Sequence, residues 1–201
     1  TGLVNGTGYA FTVVASNVAG AGAGSDPSLV VAPRTVPGAP SGLAATAGDR
    51  SASVVFTAPA ADGGAPVGNY EYSTDNGANW TARVPAATSS PVAVGGLSNG
   101  VTYQVKLRAV NAAGAGAASD AVAVVPRGVP GAPSGVVGVA GDRRVAVSWV
   151  APVSDGGSAV SGYVVTASPG GRSCTTGGAL TCEVTGLVNG TGYAFTVVAS
   201  N

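Results

Sequence analysis

The first seventeen residues of the chain, TGLVNGTGYAFTVVASN, return letter for letter as its last seventeen, at an offset of 184 residues. A second repeat lies inside that period. PRTVPGAPSG (Pro33 to Gly42) matches PRGVPGAPSG (Pro126 to Gly135), and AGDR recurs at Ala47 and Ala140, both pairs 93 residues apart. GLSNGVTY (Gly96 to Tyr103) matches GLVNGTGY at Gly2 to Tyr9 and at Gly186 to Tyr193. The period therefore holds two modules, of 93 and 91 residues. Repetition at this scale constrains the fold before any single residue does. Each repeat is one structural unit, and a series of such units works by stacking or spacing more often than through one active site.

Within each module, short Val-rich alternating segments are split by Gly, Pro and Asn-Gly turn signals, the pattern of an all-β sandwich. In the middle module the pattern predicts seven strands, near 43–47, 52–58, 69–74, 79–84, 91–94, 102–111 and 121–125. Two-residue alternation puts Val54, Phe56 and Ala58 on one face, and Tyr103, Val105, Leu107 and Ala109 on another. Pro59, Pro66 and Pro85 fall where strands should end, because Pro lacks the ladder N–H. The glycine-rich AGAGAG of Ala19 to Gly24 reads as a flexible turn. No segment keeps a helical period.

These residues carry a family resemblance. The modules resemble fibronectin type III domains of the bacterial kind. The matching features are VPGAPSG at the start and the second-strand aromatic (Phe56, and Trp149 in VSW), followed by APAADGGAPVGNY (Ala58 to Tyr70) and APVSDGGSAVSGY (Ala151 to Tyr163). GLxNGxxY comes next, then NAAGAGAASD (Asn111 to Asp120) and its counterpart NVAGAGAGSD (Asn17 to Asp26). The resemblance implies tandem seven-stranded antiparallel sandwiches, three strands against four. It implies that Trp149 is a core tryptophan replaced by Phe56 in the middle module. Tyr70 and Tyr163 are further core aromatics, and Leu97 with Tyr103, like Leu187 with Tyr193, forms a tyrosine corner. On this frame residues 1–33 are the last two strands of one module, 37–126 a complete module, and 130–201 a module without its last strand. Either the array continues, or another chain supplies the missing strand. The first reading is preferred, because the N-terminal segment carries a second copy of the sixth strand as well as the seventh.

Composition removes several function classes. Nine basic and nine acidic residues cancel, and only 9% of the chain is charged, so there is no footprint for nucleic acid. No apolar run approaches the roughly 18 residues of a membrane-spanning helix. His is absent, which removes the commonest general base and metal ligand. Glu71 and Glu183 are the only glutamates, and each stands alone in an alternating strand. No catalytic residues, metal ligands or cofactor are expected.

The remaining motifs have structural readings. Cys174 and Cys182 flank seven residues, too wide for a CxxC pair, and are expected to form a local disulfide, which implies an extracellular or cell-surface location. Ser73 to Trp80 fits the S-x-D-x-G-x-x-W pattern of an Asp-box, and also suits a tight hairpin with Trp80 on the return strand. Trp80 is the candidate for weak contact with a polysaccharide. Asp62-Gly-Gly, Asp155-Gly-Gly, Asp49 and Asp142 read as turn chemistry, since each loop offers one carboxylate and calcium needs six to eight oxygens. Asn5, Asn79 and Asn189 match the glycosylation pattern; Asn5 and Asn189 also sit in Asn-Gly turns, and none of the three is expected to be modified. The expected function is a non-catalytic structural repeat of an extracellular fibre, filament or stalk, whose partners are neighbouring repeats. The alternatives are a spacer array in a secreted polysaccharide-degrading enzyme, or an adhesin or carbohydrate-binding module.

Overall fold

The computed structural model describes residues 2–201; Thr1, where the first partial module is expected to begin, lies outside the described residues. Among the described residues the chain forms sixteen strands and no helix. The first two, β1 (Val14–Asn17) and β2 (Gly20–Gly24), make an antiparallel hairpin. At its turn the Asn17 side-chain oxygen accepts from the Ala19 N–H at 2.8 Å. The AGAGAG segment is therefore mostly strand, which corrects the expected flexible turn. Gly and Ala have little intrinsic strand preference, so pairing with β1 and the Asn17 turn make this segment extended.

In the middle module β3 (Ser41–Gly48), β4 (Ser51–Thr57) and β7 (Val92–Gly95) form one sheet in the order β3-β4-β7. The second sheet contains β5 (Asn69–Ser73), β6 (Thr81–Ala82), β8 (Tyr103–Asn111), β9 (Gly114–Ala118) and β10 (Val122–Val124). Its order is β10-β8-β5-β6, with β9 also paired to β8. Alternation is clearest in β8: Val105, Leu107 and Ala109 are fully buried, while Lys106, Arg108 and Val110 between them are half-exposed. Tyr70 is buried opposite Ala109 in the β5–β8 register, and its ring lies 4.5 Å from that of Phe56, which is itself half-buried.

Two boundaries differ from expectation. The return strand read at 79–84 shrinks to the two residues of β6. The seventh strand read at 121–125 becomes the shorter β10, and β9 forms before it at Gly114–Ala118, the two being separated at Ser119. Its N–H donates to the Leu107 carbonyl at 2.8 Å, and its hydroxyl oxygen accepts from the Leu107 N–H at 3.0 Å. A side chain thus takes the place of a strand carbonyl.

In the third module β11 (Ser134–Gly141), β12 (Arg144–Val150) and β15 (Thr181–Thr185) form a sheet in the order β11-β12-β15. The facing sheet has the order β14-β13-β16, from β13 (Gly162–Ser168), β14 (Ser173–Thr176) and β16 (Ala194–Ser200). Val147, Trp149, Tyr163, Val165, Ala167, Val184 and Leu187 make its core. The Trp149 and Tyr163 rings are 5.3 Å apart, tilted by 59°.

By contacts the chain divides into two units. The first holds the residues up to Ala45 with Val54–Val92 and Tyr103–Ala123; the second holds Thr46–Ser53, Ala93–Thr102 and Val124–Asn201. The division falls across the middle sandwich and leaves each inter-module linker inside one unit.

Candidate functional site

The Asp-box hairpin is built around Asp75. The Ser73 hydroxyl, at the end of β5, donates to Asp75 Oδ1 at 2.6 Å and accepts from the Gly77 N–H at 2.8 Å. Asn79 donates to the same carboxylate twice, from its backbone N–H at 2.9 Å and from Nδ2 at 2.6 Å. Asn76 takes the left-handed conformation the turn requires, with φ at 59°, and its N–H donates to the Gln104 carbonyl at 3.0 Å. The bonds from the Ser73 hydroxyl and from Asn79 stabilise the ionised form and draw the Asp75 carboxyl down from its usual value to about 2. A folded-state value below the unfolded one stabilises the hairpin above the ordinary carboxylate range, and that contribution is lost as pH falls toward 2. An NMR titration is expected to show the Asp75 carboxylate midpoint near 2, moving back toward 3.8 in Ser73→Ala. An unshifted midpoint in the unmodified chain would remove the hairpin bonds from the account.

Trp80 follows that turn just before β6 and is half-buried. The guanidinium carbon of Arg108 lies 4.3 Å from the centroid of its ring. Arg108 is held there by Glu71, its cross-strand partner on β5, with both Nε and Nη2 at 2.6 Å from Glu71 Oε2. A cation on an aromatic face uses the quadrupole and the area that a stacked sugar ring would use. The arrangement stiffens the sheet edge and leaves Trp80 partly engaged within its own module.

Cys174 and Cys182 are joined in a disulfide. Cys174 lies on β14 and Cys182 on β15, which are successive in sequence but belong to different sheets. The bond therefore ties the two layers of the third sandwich together at their edge.

The Leu-x-Asn-Gly-x-x-Tyr segments place Leu97 and Leu187 in the core, while Tyr103 and Tyr193 are half-buried. The Tyr193 hydroxyl accepts from the Val188 N–H at 3.1 Å, and the Tyr9 hydroxyl from the Val4 N–H at 3.0 Å. Sequence reasoning missed a clasp beside these corners. Asn99 Nδ2 donates to Asp49 Oδ1 at 2.7 Å while its Oδ1 accepts from the Arg50 N–H at 2.8 Å. Asn189 repeats both bonds with Asp142 and Arg143, at 2.8 and 2.9 Å. Arg50 and Arg143 sit at φ of 49° and 50°, so the clasp ties down the hairpin turn of AGDR. The joint recurrence of AGDR and Asn-Gly was the available signal; the contact between them was not visible. The carboxylates of Asp62 and Asp155 accept from the Gly64 and Gly157 N–H groups, each at 2.8 Å, as turn residues do. Among the described residues no group of three or more His, Cys, Asp or Glu side chains comes together.

The chain is 31% identical to exoglucanase B of Cellulomonas fimi over an alignment 215 residues long, which covers 100% of this chain and 19% of that protein. It is 33% identical to chitinase A1 of Niallia circulans over 144 residues, 67% of this chain and 20% of that protein. The chain thus spans about one fifth of the length of these two curated relatives. Among solved structures, the chicken CNTN1 FN1-FN3 domains align at a TM-score of 0.40 and 20% identity, covering 99% of this chain and 71% of that one. The fibronectin type III domain model matches residues 38–125 and again 131–201. Two successive matches spanning most of the residues show that the chain belongs to the fibronectin type III family.

Proposed function

We propose that this chain is a non-catalytic spacer in a longer extracellular protein, carried beside a domain that acts on an insoluble polysaccharide. The observation that carries the reading is where the carboxylates go. Seven of the nine acidic side chains are committed: Asp49, Asp62, Asp75, Asp142 and Asp155 hold turns, and Glu71 and Glu183 pair with Arg108 and Arg144. Groups committed in this way are not poised as a general acid and base. The similarity to exoglucanase B and chitinase A1 supports the polysaccharide context, and the disulfide supports an oxidising compartment.

The purified chain is expected to release no reducing sugar from cellulose or chitin and to remain in the supernatant when either solid is pelleted. Retention that disappears in Trp80→Ala would replace the spacer reading with a carbohydrate-binding one.

A second reading, a repeat of an extracellular fibre or stalk, is favoured by the unchanged seventeen-residue recurrence. The mass of the native polypeptide separates the two. Many such modules without a hydrolase domain would favour the fibre, whereas a few modules beside one would favour the spacer.

A further inference from the structure

The two boundaries between sandwiches are built alike. In the second unit the Asn99–Gly100 turn at the foot of the middle module lies against Gly156–Gly157 at the head of the third, with the linker Pro126–Val129 alongside. The Gly100 N–H donates to the Pro126 carbonyl at 2.9 Å, and the Gly128 N–H to the Gly156 carbonyl at 2.8 Å. Asn201 reaches in from the end of β16, its Nδ2 donating to the Gly128 carbonyl at 2.9 Å and the Asp155 carbonyl at 2.7 Å. In the first unit the Gly6 N–H donates to the Pro33 carbonyl and the Thr35 N–H to the Gly63 carbonyl, each at 2.8 Å. There Asn111 plays the part of Asn201, with its Nδ2 donating to the Thr35 and Asp62 carbonyls at 2.8 and 2.7 Å. Asn111 is buried, so its amide is committed to this contact.

The two turns meet as bare backbone. A Cβ added to Gly157 would stand 2.3 Å from the Gly100 nitrogen, and one added to Gly64 would stand 2.3 Å from the Gly6 nitrogen. From the other side, a Cβ on either Gly100 or Gly6 would come within 3.1 Å of the opposing glycine Cα. No other residue type fits such an approach without displacing main chain. A third copy of the foot turn, Asn189–Gly190, keeps the same clasp to Asp142 and Arg143, and a Cβ on Gly190 would meet nothing within 4 Å. Among the described residues two of these turns thus lie against a following module, and the Gly190 turn meets none.

We propose that the Asp-Gly-Gly turn at the head of each module is a docking site for the Asn-Gly turn at the foot of the module before it. The PRxVP linker is then a hydrogen-bonded part of that joint and not a free tether. The partner surface is another module of the same kind, recognised through backbone shape and backbone hydrogen bonds. The inference goes beyond the spacer reading and stands whether or not a hydrolase lies in the same polypeptide.

Amide hydrogen exchange on the 201-residue chain tests it, with the Gly190 turn as the internal reference. The Gly100 and Gly128 amides are expected to exchange at least about tenfold more slowly than the Gly190 amide, as for hydrogen bonds that must break before exchange. Gly157→Ala should raise the Gly100 and Gly128 rates to that of Gly190 while the Val147 and Val165 amides stay protected. Gly190→Ala, at a φ of 79° in open space, carries a left-handed penalty without a joint and should leave Gly100 and Gly128 unchanged. If Gly157→Ala does not fold, Asn201→Ala, which removes only the side-chain bonds, should still accelerate Gly128. Equal rates at Gly100 and Gly190 in the unmodified chain would overturn the proposal. So would undiminished protection of Gly100 and Gly128 in a folded Gly157→Ala.

Discussion

Trp149→Ala will destabilise the third sandwich by about 3–5 kcal/mol, whereas Trp149→Phe will cost less than about 1.5 kcal/mol. The large value follows from burial: Trp149 is 5% exposed and packs on Tyr163 in the middle of the core. Truncation to Ala loses the transfer energy of the indole and leaves a cavity that a two-layer sandwich cannot close. The small value follows from a polar atom. Among the described residues the buried indole Nε1 meets no hydrogen-bond partner, and burying such a group costs about 1–3 kcal/mol by protein mutational data. Phe gives up area but removes that cost, and the middle module already places Phe56 against Tyr70 at the corresponding position. Urea unfolding followed through the Val147 and Val165 resonances checks both values. In either variant Trp80 is the remaining tryptophan, so its fluorescence reports the middle sandwich, whose midpoint should move far less. Equal losses from Ala and Phe would mean that the indole N–H contributes something other than an unpaired donor.

Removing the disulfide by Cys174→Ser with Cys182→Ser will cost the third sandwich about 2–3 kcal/mol, from the chain entropy of closing a loop of that length. Because the bond joins β14 to β15 across the two sheets, the loss should appear as earlier separation of the layers. Val184 on β15 and Val165 on β13 should then lose exchange protection together. The middle module has no cysteine and serves as the control. Reducing agent should lower the third-module midpoint of the unmodified chain and leave that of the double variant unchanged. Two alkylated thiols in the unreduced protein, or an unchanged midpoint on reduction, would contradict this.

The sheet architecture could be read from the sequence because β8 and its equivalents alternate strictly. Val105, Leu107 and Ala109 face the core as a two-residue period requires. The Gly-Ala strands β2 and β9 could not be read that way. Residues without bulk show no alternation, and their extended form comes from the partner strand. The Asp49–Asn99 clasp was equally hidden. Each residue alone suits a turn, and their meeting across some fifty positions depends on how the strands between them pack. For the disulfide, spacing suggested the pairing, but only the fold assigns its two ends to different sheets. The aromatic ring of Trp80 is visible in the sequence, but the guanidinium above it depends on the register of Glu71 with Arg108.

A boundary made of main-chain atoms, three glycines and one asparagine amide is indifferent to most of the sequence on either side of it. On the proposed joint, a module with Asn-Gly at its foot should be able to precede any module with Asp-Gly-Gly and the asparagine amide at its head. Unequal recombination between near-identical stretches could then lengthen or shorten the protein in whole steps without disturbing a core. The unchanged seventeen-residue segment at the two ends of the chain is a ready substrate for such exchange. Reach would be inherited as a copy number, adjustable by duplication and loss and not by redesign of an interface.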